Sequence, residues 1–314
     1  MLLKSGSSGL AVGIVQQRLQ DLGLDVTADY IFGPMTLAAV KSFQSQVGIF
    51  ADGEIGPETL RALDLDQVPL QETLNAWRYL TSFRPPREIQ EIIRSKGVNW
   101  HVHPIEKGYG EIHLDFFPVR IKSLPVINGR KVTAEKLLWT IRRSFNQFFD
   151  RSLVRFEPYD PEDEPRWSDR NPAGAVLHTD FNLVGLNSRN GAVVVSHASP
   201  SNFVFSTVWT VDDTSHPMSG NRQIGFLENA DHEITFYNRA AERLTVETIA
   251  REARLAFESL NTIWHSLQQG ISRYVNCYGG MAQVLPQAAI SQRFDWHAFR
   301  NELHKPVIDW LAGS

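Results

Sequence analysis

The sequence predicts an α+β protein of two domains: a small three-helix head over residues 1–66 and a larger α+β body over 67–314. Three observations predict it. A turn pattern occurs twice near the N-terminus, and each copy opens a helix. Five short strand-like segments follow one another between residues 175 and 238. A long amphipathic stretch, Thr245 to Val275, comes after them. A chain of 314 residues also exceeds what one core usually holds.

The head rests on the repeat. Asp29-Tyr-Ile-Phe-Gly33-Pro34-Met-Thr36 and Asp52-Gly-Glu-Ile-Gly56-Pro57-Glu-Thr59 share one pattern: Asp, two residues, an apolar residue, Gly-Pro, one residue, Thr. Asp and Gly favour a tight turn. Proline then suits the first turn of a helix, where its missing N–H costs nothing. Helices are expected over Leu10–Leu22, Pro34–Val47 and Pro57–Leu63, with apolar residues at helical spacing. Residues 1–66 carry four bases against eight acids, so the head holds the whole net charge of −4 and the body balances to zero.

The body reads in order. Helices are expected over Gln71–Thr81, Pro86–Lys96 and Thr133–Asp150, and a strand over Gly110–Lys122. Residues 157–174, rich in proline and acids, read as a long loop. Strands over Ala175–Asn182, Ala192–His197, Phe203–Val211, Arg222–Leu227 and Glu233–Asn238 suggest an antiparallel meander. In Thr245–Val275, apolar residues from Val246 and Ile249 to Tyr274 recur every three to four positions, with Gly270 a candidate bend. Short helices are expected near Trp296–Leu303 and near Ile308.

Composition excludes some classes. At 42% apolar and 21% charged residues the chain is ordinary for a globular protein. Its acidic balance gives no footprint for nucleic acid. One cysteine allows no internal disulfide. No apolar run is long enough for a membrane span, and no signal peptide is visible in this chain.

The head resembles the peptidoglycan-binding domain that accompanies many cell-wall hydrolases. The matching residues include Gly6, Gly9, Val12, Gln16, Leu19, Phe32-Gly33-Pro34, Thr36, Phe43-Gln44, Asp52-Gly53, Ile55-Gly56 and Thr59. Asp29-Tyr30 stands where Asp-Gly is usual. The resemblance implies a peptidoglycan partner and a shallow binding groove near the turns, with Asp29, Tyr30, Phe32, Asp52 and Ile55 as ligand-binding candidates. It places the protein at the cell wall or periplasm, or exported without a cleaved signal peptide. A sheet followed by a long helix also resembles START-like helix-grip proteins in architecture alone, which gives no function.

Chemistry in the body has several candidates. If Glu106–Gly110 turned a hairpin, His101, His103, His113 and Asp115 would share one face and could hold zinc. The alternative is a solvated hairpin face. His178 and Asp180 share a strand face, as a general base and its orienting carboxylate would. His216, with Ser219 and Arg222, reads as a turn that could bind an anion or polarise a substrate in catalysis, or simply stabilise itself. Cys277 would need a nearby histidine to act as a nucleophile. No phosphate loop or serine elbow is present. Three functions stay open: a wall-binding protein with a binding or effector body, a peptidoglycan hydrolase, and a cargo or structural component with a secretion-apparatus partner.

Overall fold

The computed structural model describes residues 2–66, 68–182, 190–229, 232–245 and 253–303. The chain divides into two compact units: Met1–Tyr79 with Gln292–Ser314, and Leu80–Ser291. The division drawn from sequence falls after residue 66.

In the first unit, α1 (Leu10–Asp21), α2 (Pro34–Val47) and α3 (Pro57–Ala62) form at the expected places. Pro34 and Pro57 open their helices, and Gly33 and Gly56 precede them in extended backbone. Gly48 ends α2 in the left-handed conformation. Leu10, Val12, Val15, Leu19, Val40 and Phe43 bury the inner faces. Later in the chain α4 (Leu70–Ser82) forms, and near the end of the chain α9 (Trp296–Leu303) buries Trp296 and Phe299. The helix expected near Ile308 lies outside the described residues, as do Val246 and Ile249.

The second unit is a sheet with helices on both faces. Its helices and strands are α5 (Arg87–Lys96), β1 (His101–Val102), β2 (Tyr109–Ser123), β3 (Val126–Ile127), β4 (Arg130–Lys131), α6 (Ala134–Arg143), β5 (Val154–Pro158), α7 (Asp163–Ser168), β6 (Val176–Phe181), β7 (Asn190–Ala198), β8 (Asn202–Thr210), β9 (Thr214–Ser215), β10 (Met218–Glu228), β11 (Ile234–Leu244), α8 (Ala253–Cys277) and β12 (Met281–Val284). The sheet runs β12-β2-β11-β10-β8-β7-β6-β5, and the paired strands are antiparallel. From β5 to β11 it is the expected meander, and β2 joins its far edge through β11.

One face carries the main core. Phe117, Val119, Phe205, Ile224 and Phe236 meet Phe257, Leu260, Ile263, Leu267 and Ile271 of α8. Each such side chain contributes roughly 1.5–3 kcal/mol when fully buried. On the other face Ile89 and Ile93 of α5 pack on Val176, Val194 and Val208.

Three expectations need correction. The helix from Thr133 stops at Arg143, and a 3₁₀ turn, Phe145–Gln147, follows. Asn146 explains the break: its carboxamide donates to the Phe156 carbonyl and accepts from the Phe156 N–H, capturing the main chain of β5. The loop over 157–174 contains α7. The buried Asp163 anchors that helix by accepting from Val176 N at 2.9 Å and from Lys96 Nζ at 2.6 Å. The hairpin over His101–Asp115 does not form. Pro104 and a 3₁₀ turn, Ile105–Lys107, redirect the chain, so β1 pairs with β8 and β2 with β11.

Gly270 does not interrupt α8, which runs continuously across it. A Cβ at this position would lie 2.0 Å from the Phe148 carbonyl oxygen, so the glycine permits a close backbone approach. Gly270→Ala is therefore expected to destabilise the protein by about 1–3 kcal/mol in urea denaturation, despite alanine's better helix propensity. Unchanged or raised stability would contradict this packing.

Candidate functional site

The two turns of the head are built alike. In the first, Gln16 Nε2 donates to Asp29 Oδ1 at 2.7 Å, Thr36 Oγ1 at 2.8 Å and the Ile31 carbonyl at 3.0 Å, while Gln16 Oε1 accepts from Tyr30 N at 3.0 Å. In the second, Gln44 Nε2 donates to Asp52 Oδ1 at 2.8 Å, the Glu54 carbonyl at 2.9 Å and Thr59 Oγ1 at 3.1 Å, and Gln44 Oε1 accepts from Gly53 N at 2.8 Å. Both glutamines are buried. One carboxamide thus fixes each turn completely, since every polar atom it buries is satisfied.

Tyr30 occupies the position of Gly53 and takes the same left-handed backbone, φ 66 against φ 82. A non-glycine residue is strained there, at about 1–2 kcal/mol. Its ring offsets that by packing on Gly13, where a Cβ would come within 2.7 Å, and on Phe294.

The five candidate ligand-binding residues all lie in these two turns. Tyr30 is 3% exposed, and Phe32 and Ile55 are buried deeper still. Asp29 and Asp52 accept from the glutamines and from backbone N–H groups two residues on. Asp29 and Asp52 remain exposed to solvent, while Tyr30, Phe32 and Ile55 face inward. Beside the first turn the exposed apolar side chains are Ile31, at 56%, and Met35, at 55%.

In the body, the four residues considered for zinc do not converge as a group. His101 is exposed and stacks on Trp209 with ring centroids 5.5 Å apart. His103 donates its backbone N–H to Thr207 on β8. His113 and Asp115 lie on β2 beneath α8, where His113 stacks on Phe257. Among the described residues, His113, Asp115 and Glu242 do place one potential ligand atom each within 4.8 Å of one another. They do not fit a metal, because Arg222 already fills the centre. Its guanidinium donates to both oxygens of Asp115, at 3.0 and 2.6 Å, and to both oxygens of Glu242, at 3.2 and 2.9 Å. A second cation here would face that charge at short range.

The Arg222 group is buried whole. Asn238 Oδ1 accepts a further bond, and Trp264 of α8 covers the guanidinium at 3.9 Å. Burial raises the Asp115 pKa, Arg222 opposes that and Glu242 reinforces it. Burial lowers the Arg222 pKa, but Asp115 and Glu242 outweigh it and the net direction is upward. Two buried carboxylates facing one guanidinium favour a retained proton.

Ser291 adds a contact that sequence reading missed. Its hydroxyl accepts from Asn261 Nδ2 at 2.7 Å and lies 2.9 Å from His113 Nε2. His113 Nδ1 is 3.8 Å from Asp115 Oδ2. Glu242, Trp264 and Ser291 sit more than 100 residues from Asp115, so no spacing rule could have found them.

The remaining candidates scatter. On the opposite sheet face, His178 bridges Asp180, at 2.8 Å, and Asp213, at 3.2 Å. His216 precedes β10, and the stretch read as a turn is the start of that strand, with Ser219 and Arg222 inside it. His216 Nδ1 lies 3.0 Å from Met218 N and accepts from it. It lines a cavity of about 30 Å³ with Thr207, Arg222, Glu242 and Trp264. That volume suits one or two water molecules rather than a substrate. Cys277 is exposed at the end of α8, and among the described residues no histidine bonds it.

Residues 8–63 match the family model described as a putative peptidoglycan binding domain. The head is therefore a domain of this type. Over 64 residues the chain is 44% identical to the zinc D-Ala-D-Ala carboxypeptidase of Streptomyces albus G, covering 19% of this chain and 25% of that protein. Over 67 residues it is 43% identical to an uncharacterized protein of Kitasatospora aureofaciens, covering 20% of this chain and 55% of that one. The chain thus spans between a quarter and about half the length of these relatives. Two solved structures align with a larger part. A conserved protein from Geobacillus kaustophilus covers 54% of this chain and 99% of its own, at 9% identity and TM-score 0.33. Protein Ms6760 from Mycobacterium smegmatis covers 55% and 93%, at 11% identity and TM-score 0.30. Among the described residues no helix is long and apolar enough to cross a membrane.

The buried His216 and the half-buried His103 set a pH dependence. Burial lowers His216 to about 3; it lowers His103 to about 4, with the charges of His101 and Lys107 adding to the effect. Both folded values lie below the unfolded value near 6.5, so the folded protein binds fewer protons. Their contribution is whole above about pH 6.5 and falls away as pH drops through the window. Asp115, with its raised pKa, has the opposite sign. His216→Gln should therefore remove about 2 kcal/mol of the stability lost between pH 7 and 5, read by urea denaturation at each pH. The same slope in both proteins would contradict the assignment.

Proposed function

We propose that this is a cell-wall protein that docks on peptidoglycan through its N-terminal domain and carries a separate ligand-binding body. The observation that carries the reading is the pair of Gln-Asp-Thr turns inside the segment that matches the peptidoglycan-binding family. Peptidoglycan is then its partner, and the wall its place of action. The buried turn residues act as a frame, and Ile31 and Met35 stand exposed at either side of Gly33-Pro34.

The test is co-sedimentation of the full chain with purified sacculi. The wild-type protein should be retained, and Ile31→Asp with Met35→Asp should lower the bound fraction at least about tenfold. Wild-type protein left wholly in the supernatant would sink the reading.

A second reading, a peptidoglycan hydrolase, draws support from the line Ser291–His113–Asp115. In that order a histidine can take the serine proton while a carboxylate orients it. The first reading stands ahead on two counts. Arg222 binds both oxygens of Asp115, and His113 is 1% exposed beneath Phe257. A hydrolase would release muropeptides from sacculi and lose that activity in Ser291→Ala. The binding reading predicts no release by either protein, with or without a chelator.

A further inference from the structure

A groove of about 700 Å³ runs beside α6, within the size range of small-ligand sites. Leu138 and Phe203 give it an apolar, buried floor. Its charged lining is uneven: Lys136, Arg142 and Arg170 against the single carboxylate of Glu135.

Among the described residues none of the three cations forms an ion pair, although the Asp169 carboxylate acts on Arg142 at longer range. Arg142 is 4% exposed and donates to the main-chain carbonyls of Trp167 and Asp169. A buried guanidinium ordinarily stands against a carboxylate, because its charge is costly to strip of water. Two neutral carbonyls orient it without cancelling that charge. Burial and the nearby Arg143 lower its pKa to about 10 while Asp169 opposes them, so it stays charged at neutral pH. The Lys136 ammonium rests over the ring of Trp139 at 3.5 Å, and Arg143 lies 4.9 Å from the same ring. Arg170 is exposed at the rim. The site thus offers a fixed, buried guanidinium charge, two exposed cations and an apolar floor.

We propose that this groove binds a small organic anion, a carboxylate or phosphate borne on a sugar or similarly part-apolar body. Planar guanidinium donors suit the oxygens of either group. The proposal deepens the wall reading and rests on it for the source of the ligand: a muropeptide carboxylate or the phosphate of a wall polymer.

Calorimetric titration of the full chain separates the sources. The probes are muramoyl dipeptide, glycerol phosphate and uncharged N-acetylglucosamine. One of the two anions should bind saturably and weaken with added salt, while the neutral sugar should not bind. Lys136→Glu and Arg170→Glu, both at exposed positions outside the packed core, should each weaken that binding about tenfold. No saturable binding of either anion, or affinity unchanged in both variants, would overturn the proposal. Anion binding by a protein that sacculi do not retain would uphold the groove and overturn the wall reading.

Discussion

The head depends on two buried carboxamides. A turn that enters the interior leaves backbone N–H and C=O groups that water cannot reach, and each unpaired group costs about 1–3 kcal/mol. Gln16 and Gln44 supply donor and acceptor from one side chain, so each turn closes around a single residue. Everything downstream follows. The carboxamide fixes the aspartate, the aspartate fixes the backbone two residues on, and Gly-Pro then launches a helix in a set direction. The same device, used twice, shapes both turns of the head.

The body solves a different problem. Arg222, Asp115 and Glu242 lie under α8, in a region otherwise filled by aromatic and aliphatic side chains. Such a group contributes little net stability, because desolvation offsets much of the attraction. Removing one member alone would strand a charge. Its geometry holds three central strands, β2, β10 and β11, in one register, since each contributes one charged residue. By contrast, the cations of the α6 groove form no ion pair among the described residues and border open space. That difference is why the groove, and not the Arg222 cluster, is proposed as a ligand site.

Much of this was legible in the sequence. The repeated Asp…Gly-Pro…Thr pattern marked α2 and α3 because turn chemistry is local. Pro34–Val47 and Trp296–Leu303 match their expected spans. Short segments separated by turn residues revealed β6, β7, β8, β10 and β11, and alternation revealed β2; β10 and β11 run longer than expected. What was not legible depended on distant partners. Pairing of β1 with β8 rather than β2 is a tertiary choice that His101–Asp115 does not encode. The short edge strand β12 carries too few residues to show a period. Phe32 and Ile55 read equally well as exposed or buried, because the pattern marks a turn without saying which side faces the core.

The central claim is that the glutamine-held turns present the face that meets the wall. Amide chemical-shift mapping of the full chain with a soluble peptidoglycan fragment tests it most directly. The account predicts that the largest shifts fall in residues 29–36 and 52–59. Shifts confined to residues 80–291, or none at saturating fragment, would contradict it.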